Sequence, residues 1–193
     1  MDSVIYTVCP RLGWCKNVKE SWEKDAGKPN EYHSVEAKRG REFILRLTTG
    51  ADVYLALQQF AVDHGIRFGK IHAAFMGGLQ PAKFLMWAPD TQNPDNWHNE
   101  SEVTIQNQSM ILSMSGVIHP RIMKGEEEPF PAIHFVTGGA WDVPSIGGHL
   151  NEGTIVKGVL EIFITEILGI DVLLPSGYDP ESDVAPESWY KEI

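Results

Sequence analysis

The sequence is poor in cysteine, in basic residues and in long hydrophobic runs, and each shortage excludes a class of protein. Two cysteines among 193 residues, Cys9 and Cys15, do not make a disulfide framework, so we expect free thiols. The formal charge of −10 disfavours a nucleic-acid partner, because such binding depends on cations that neutralise phosphates. No apolar run approaches the roughly 20 residues of a membrane helix, and the first residues lack the features of a signal peptide. We therefore expect a cytoplasmic protein with no membrane partner.

Regular patterning occupies the middle of the chain. Residues 1–41 have the mixed composition of an N-terminal extension, residues 42–174 carry the periodic patterns of one domain, and residues 175–193 form a tail rich in Pro, Ser, Asp and Glu. Asp52 and Gly65 are residue types that begin and end helices, and they bracket a helical pattern. We predict an α+β fold, a single domain whose mixed or antiparallel sheet has about six or seven strands, with one main helix and two extensions.

Two polar segments interrupt the strand-like patterns. Residues 88–100 are rich in Pro, Asp and Asn, and residues 120–131 contain three consecutive glutamates. Both compositions are typical of loops. We therefore predict a loop at each.

Four of the seven histidines lie in or beside predicted strands or a glycine turn. His134 lies within a strand pattern, on the face opposite to Ile133 and Phe135. The two glycines before His149 let the backbone turn tightly beside the imidazole. Imidazole is a common ligand of divalent transition metals, and a catalytic zinc site normally has three protein ligands. His134, His149 and His119 are therefore the candidate ligands of a metal site, with His72 as the alternative third ligand. The other interpretation is a set of core histidines bonded to backbone carbonyls.

Two glutamates are candidate catalytic acids. Glu161 lies in an otherwise apolar strand, where an ionised carboxylate is costly unless it is paired. It therefore either pairs with a cation, for which Arg46 is the obvious partner, or has a raised pKa suited to proton transfer. Glu152, close behind His149, is the second candidate. Trp141 and Arg46 are the predicted pocket residues, although aromatic residues also serve cores and subunit interfaces.

Five segments, in order along roughly residues 42–170, resemble the PPC (plant and prokaryote conserved) domain. The first, F-I-L-R-L-T-T-G-A-D-V-Y-L-A-L-Q-Q-F-A-V-D-H-G-I-R, is similar to the domain's opening strand, Gly turn and helix. The others are K-I-H-A-A-F-M-G-G-L, S-M-I-L-S-M-S-G, I-H-F-V followed by G-G-H-L-N-E-G, and the closing strand G-V-L-E-I-F-I.

This resemblance implies a compact α+β fold, usually a homotrimer. Free-standing bacterial and archaeal members are often labelled "putative DNA-binding protein", and several bind a metal through histidines of an H-x-H and a G-G-H motif. Here the H-x-H position reads Ala132-Ile133-His134, so one usual histidine is missing.

The predicted function is therefore a homotrimeric metalloprotein that holds a divalent metal, Zn²⁺, in a histidine cluster. It would be a metal-dependent enzyme acting on a small molecule, of the lyase, hydrolase or isomerase type. One alternative is a DNA-binding or regulatory protein that uses the basic cluster Lys38, Arg39 and Arg41. Arg39-Gly40-Arg41 echoes an AT-hook core, but Glu42 follows where the hook needs proline. The other alternative is a protein-interaction module.

Overall fold

The computed structural model describes residues 35–89, 97–123, 126–139, 145–173 and 189–193. Cys9, Cys15 and Trp141 lie outside the described residues, as do most of the two predicted extensions. In chain order the elements are β1 (Lys38–Thr48), α1 (Val53–His64), β2 (Gly69–Phe75), β3 (Gly78–Leu79), β4 (Ala82–Pro89), β5 (Trp97–Ile105), β6 (Ser109–Met123), β7 (Glu126–Gly138), β8 (Ile146–Leu150), β9 (Val159–Leu168), β10 (Ile170–Leu173) and β11 (Trp189–Glu192).

The described residues form one nine-stranded sheet and a small second sheet. The order in the large sheet is β1-β9-β2-β6-β7-β8-β4-β5, and β3 pairs with β6 outside this path. Its neighbouring strands are antiparallel. Strands β10 and β11 pair with each other, also antiparallel. The region around His134 is thus the middle of a long antiparallel sheet.

The predicted fold class is wrong. The described residues are mostly antiparallel sheet, with nine strands in one sheet and one 12-residue helix, and not a sheet of six or seven strands in an α+β fold. Residues 120–131, predicted as a loop, form much of the β6–β7 hairpin. Residues 88–100 include the ends of β4 and β5. Polar residues pair here because ladder hydrogen bonds join backbone groups, which every residue type except proline supplies in full.

The predicted helix boundaries are confirmed. Asp52 is the N-cap of α1, and its Oδ1 accepts hydrogen bonds from the backbone N–H groups of Tyr54 and Leu55. Gly65 ends the helix in the left-handed conformation, with φ of 60°. The other carboxylate oxygen of Asp52, Oδ2, accepts a hydrogen bond from the backbone N–H of Gly153 at 2.6 Å. Asp52 therefore fixes the helix start and the turn after His149 together.

One face of the sheet packs against the helix to form the core. Leu57 of α1, Ile133 and Phe135 of β7 and Phe84 of β4 are nearly or fully buried in one cluster. The rings of Phe84 and Phe135 stack at 4.3 Å between centroids. Because successive side chains of a strand alternate between faces, His134 projects from the opposite face, which we call the open face.

The open face carries apolar as well as polar side chains. On it, cross-strand pairing aligns Ile44 with Phe163, and Phe75 with Glu161. Ile44 and Phe75 are 65% and 58% exposed, so this face is unusually apolar where it meets solvent. In the described part of the chain, no helix is long and apolar enough to cross a membrane.

Candidate functional site

His134 in β7 and His149 in β8 face each other across neighbouring strands. Their Cα atoms are register partners, and residues directly opposite in antiparallel strands share a face of the sheet. The imidazole centroids are 5.3 Å apart and the ring planes meet at 81°. His134 is exposed and His149 is partly buried. Of the predicted ligands, these two are the ones that the structure brings into direct contact.

Glycine makes this pairing possible on the β8 side. A Cβ atom at Gly148 would lie 2.6 Å from the Sδ atom of Met86 and 3.2 Å from the carbonyl oxygen of Leu85. Strand β8 therefore approaches β4 more closely than a larger residue at position 148 would allow. The same close approach pairs His149 with Leu85 on its other side.

The surroundings of His119 differ from those of the pair. Its Nδ1 lies 2.8 Å from the carbonyl oxygen of Pro120, and its ring meets the Phe130 ring edge-on at 5.4 Å. Phe130 in turn stacks against His149 at 5.7 Å and 22°. Ala132 shares the face of Phe130 and His134, and its methyl group cannot bind a metal.

Burial keeps His149 neutral. Desolvation lowers the pKa of His149 from 6.5 to about 4, and electrostatic repulsion from Arg121, and from His134 and His119 whenever they are protonated, adds to the effect. Burial also lowers the pKa of His119, partly offset by its hydrogen bond to the Pro120 carbonyl. A neutral imidazole is the form that binds a metal.

His72 and Glu161 lie elsewhere on the sheet. Nε2 of His72 is 2.6 Å from Oγ1 of Thr165, and this hydroxyl donates to the carboxylate of Glu42. Glu161 faces Arg46 across β1 and β9, with 3.4 Å between Oε1 and Nη1. The salt bridge considered from the sequence is therefore present. Strands β2 and β6 separate β9 from β7, which places Glu161 roughly 14 Å from the His134 strand.

Arg121 and Tyr54 were not predicted as site residues. Arg121 lies two residues beyond His119 in β6, and its guanidinium carbon is 4.4 Å from the Phe130 ring centroid. Burial raises the pKa of the Tyr54 hydroxyl, while Arg121, which hydrogen-bonds to it, has the opposite effect. Glu152, a predicted acid, is exposed, and its negative charge also raises the pKa of Tyr54. His119 and Arg121 are two residues apart, and residues two apart in a strand lie on the same face. This spacing is the sequence signal that could have identified Arg121.

The basic cluster of β1 is largely neutralised by neighbouring carboxylates. Arg39 pairs with Glu42. The Arg41 guanidinium holds the buried Glu166 through two hydrogen bonds, from Nε to Oε2 at 2.7 Å and from Nη2 to Oε1 at 2.8 Å. The backbone N–H of Arg41 donates a third, to Oε2, and these bonds lower the pKa of Glu166. Phosphate binding would therefore have to displace these carboxylates, which weakens the DNA-binding alternative.

The donor set of one chain fits two positions of a metal site. Imidazole nitrogen suits Zn²⁺, Ni²⁺ and Cu²⁺, and His134 and His149 offer two such donors side by side. Among the residues that the structure describes, no group of three or more His, Cys, Asp or Glu side chains is arranged to hold a metal ion. Any ligands beyond these two imidazoles would have to be water, a substrate or groups that the described residues of one chain do not supply.

The sequence matches a known domain over most of its length. The family model of the Plants and Prokaryotes Conserved (PCC) domain matches residues 34–168. Comparison with curated proteins gives no match.

Several solved structures share the fold. A plant- and prokaryote-conserved (PPC) protein of Pyrococcus horikoshii is 20% identical with a TM-score of 0.61, over 84% of this chain and 99% of that one. A metal-containing protein of Archaeoglobus fulgidus is 22% identical with a TM-score of 0.59, over 77% and 94%. A "putative dna binding protein" of Bacteroides thetaiotaomicron is 20% identical with a TM-score of 0.55, over 81% and 97%. At these identities the likeness extends to the fold alone.

Proposed function

Because this chain belongs to the Plants and Prokaryotes Conserved (PCC) domain family, the family of the PPC resemblance, we propose that it binds a divalent transition metal through His134 and His149. The observation that carries the proposal is the cross-strand pairing of these two imidazoles at 5.3 Å. A solved structure of the same fold is that of a metal-containing protein. Zn²⁺ is the ion we expect, with the remaining coordination positions open to water, a substrate or a second subunit.

Open coordination positions suit chemistry on a small molecule. A bound divalent ion supplies Lewis acidity, which polarises a substrate carbonyl or lowers the pKa of a water molecule. We infer an enzyme of the lyase, hydrolase or isomerase type, in which His134 and His149 would hold the ion beside the reacting group. Of the two predicted acids, Glu152 follows His149 by three residues and is exposed, so it is our candidate for carrying a proton. Glu161 is held by Arg46 on a distant strand.

Zinc titration of individual variants tests the metal site. In untagged protein carrying Cys9→Ser and Cys15→Ser, calorimetry should detect one Zn²⁺ per chain or per shared site. His134→Ala and His149→Ala should each weaken binding at least about tenfold, because each removes one of two ligands. His72→Ala is the matched control, since His72 contacts Thr165. Equal affinity in the wild type and His134→Ala, or an equal loss in His72→Ala, would contradict the proposal.

A second part of the proposal is self-association through the open face, as a homotrimer. Ile44, Phe75 and Leu112 are 65%, 58% and 61% exposed, and Phe163 and Val136 add apolar area on the same face. Together they present on the order of 400 Å² of apolar surface, a patch of the size that often marks an interaction site. A stable interface buries about 800 Å² per partner. The apolar area of the open face is about half of that, so it would form the centre of such an interface.

Charged substitutions on the open face test the association. Phe75→Lys with Leu112→Lys should convert the wild-type oligomer to monomer in analytical ultracentrifugation, because a buried unpaired ammonium is costly. The control is Val62→Lys, which alters an equally exposed apolar residue, 59%, on helix α1. A monomeric wild-type protein, or a variant that sediments like the wild type, would refute this interface.

A further inference from the structure

Arg121 is held in a setting suited to binding an oxyanion. Its side chain is 19% exposed, and its guanidinium lies over the ring of Phe130 at 4.4 Å. Stacking on an aromatic ring orients the planar guanidinium without using the N–H donors along its edge. The same Phe130 ring contacts His149 of the histidine pair, so Arg121 and His149 border one aromatic side chain.

Glu128 now occupies the edge of this guanidinium, but it does so with a single oxygen. Nε and Nη2 of Arg121 lie 2.7 and 2.6 Å from the same atom, Oε1 of Glu128. The strongest arrangement of an arginine with a carboxylate uses two parallel bonds to two oxygens. The Glu128 side chain is also 36% exposed, so a carboxylate from solution can compete for this position.

The other groups around Arg121 are a hydroxyl, two imidazoles and two carboxylates. The Tyr54 hydroxyl accepts a hydrogen bond from Arg121 and is itself largely buried. His119 and His149 both contact the Phe130 ring over which the Arg121 guanidinium lies. The negative charges nearby belong to Glu128 and Glu152. Arg121 therefore lies in a cluster of polar and aromatic side chains gathered around Phe130.

The geometry points to Arg121 as the anchor for the carboxylate of a small-molecule ligand whose other end reaches the His134–His149 pair, with Glu128 as the internal group that this carboxylate displaces. The inference deepens the proposed function and rests on it for the second contact, because it names the ligand class as small carboxylic acids. The Arg121 contact itself requires no metal.

Glu128→Gln separates this inference from a purely structural salt bridge, because the two predict opposite outcomes. Malonate is titrated into EDTA-treated protein and followed by calorimetry, with inorganic phosphate as the second probe. Removing the competing carboxylate should tighten malonate binding by about tenfold, while Arg121→Gln should abolish it. Glu127→Gln is the matched control, since the neighbouring Glu127 pairs with Arg67 instead, and it should leave the affinity unchanged.

Each other outcome overturns the inference. If Glu128→Gln leaves malonate binding unchanged or weakens it, Glu128 is not a competitor and the pair is structural. Tighter binding of phosphate than of malonate would assign the cluster to phosphate compounds and reject the carboxylate class. Should Arg121→Gln fail to fold, the comparison of Glu128→Gln with Glu127→Gln still decides. Because these titrations contain no metal, their failure is distinguishable from a failure of the zinc experiment.

Discussion

Gly116→Ala should lower the free energy of unfolding by about 2–4 kcal/mol, although it adds a single methyl group. Gly116 in β6 faces Ile133 in β7. A Cβ atom there would lie 2.3 Å from the carbonyl oxygen of Ala132 and 2.7 Å from the Cα of Ile133. Both neighbours are backbone atoms, so the strands themselves must move apart. Urea denaturation followed by tryptophan fluorescence measures the change.

The same substitution should also weaken zinc binding, because the strand that it displaces carries His134. Ser115→Ala is the control for both measurements. Ser115 is the register partner of His134 and is exposed, and a surface substitution of this kind usually changes stability by less than about 0.5 kcal/mol. Wild-type stability in Gly116→Ala would show that β6 and β7 are less tightly joined than the structure indicates.

Acidification of metal-free protein from pH 6.5 to pH 4 should cost up to about 3 kcal/mol of stability through His149 alone. Burial lowers the pKa of His149 from 6.5 to about 4. Between pH 6.5 and pH 4, the unfolded chain therefore binds a proton at His149 that the folded chain does not bind. The stabilisation from His149 is complete above pH 6.5 and is lost as the pH falls to about 4.

His149→Gln isolates this effect, because glutamine does not titrate. The difference in unfolding free energy between wild type and His149→Gln should change with pH between 6.5 and 4, even though other groups also titrate in both proteins. A difference that stays constant over this range would mean that the imidazole is well hydrated in the folded state. Chemical denaturation at several pH values, with EDTA present, supplies the comparison.

Local sequence signals predicted the short-range features of the fold. Asp52 and Gly65 cap the helix because their residue types satisfy or permit the geometry of helix ends. The alternation of Phe43, Leu45 and Leu47 with exposed residues matches β1, in which those three side chains face the core. Such signals depend on neighbours in sequence, so they can be recognised without the tertiary structure.

The errors concern hairpins and long-range register. Strand β7 begins at Glu126, and its polar first residues pair with the end of β6, which composition alone does not indicate. The sequence identified His134 and His149 as a pair, partly through the resemblance, but their contact depends on the β7–β8 register. The Arg121–Glu128 contact depends on the β6–β7 register. A shift of one residue would send each side chain to the other face.

The two hydrogen-bonding roles of Asp52 have a consequence for how the molecule opens. One oxygen of Asp52 holds the start of α1 and the other holds Gly153, 101 residues away in sequence. Fraying of the helix end and loosening of the turn after His149 should therefore be one cooperative event instead of two independent ones. Opening of the first turn of α1 should therefore be coupled to loss of the His134–His149 contact. The equilibrium constant for opening that turn would then limit the fraction of molecules in which the histidine pair is intact.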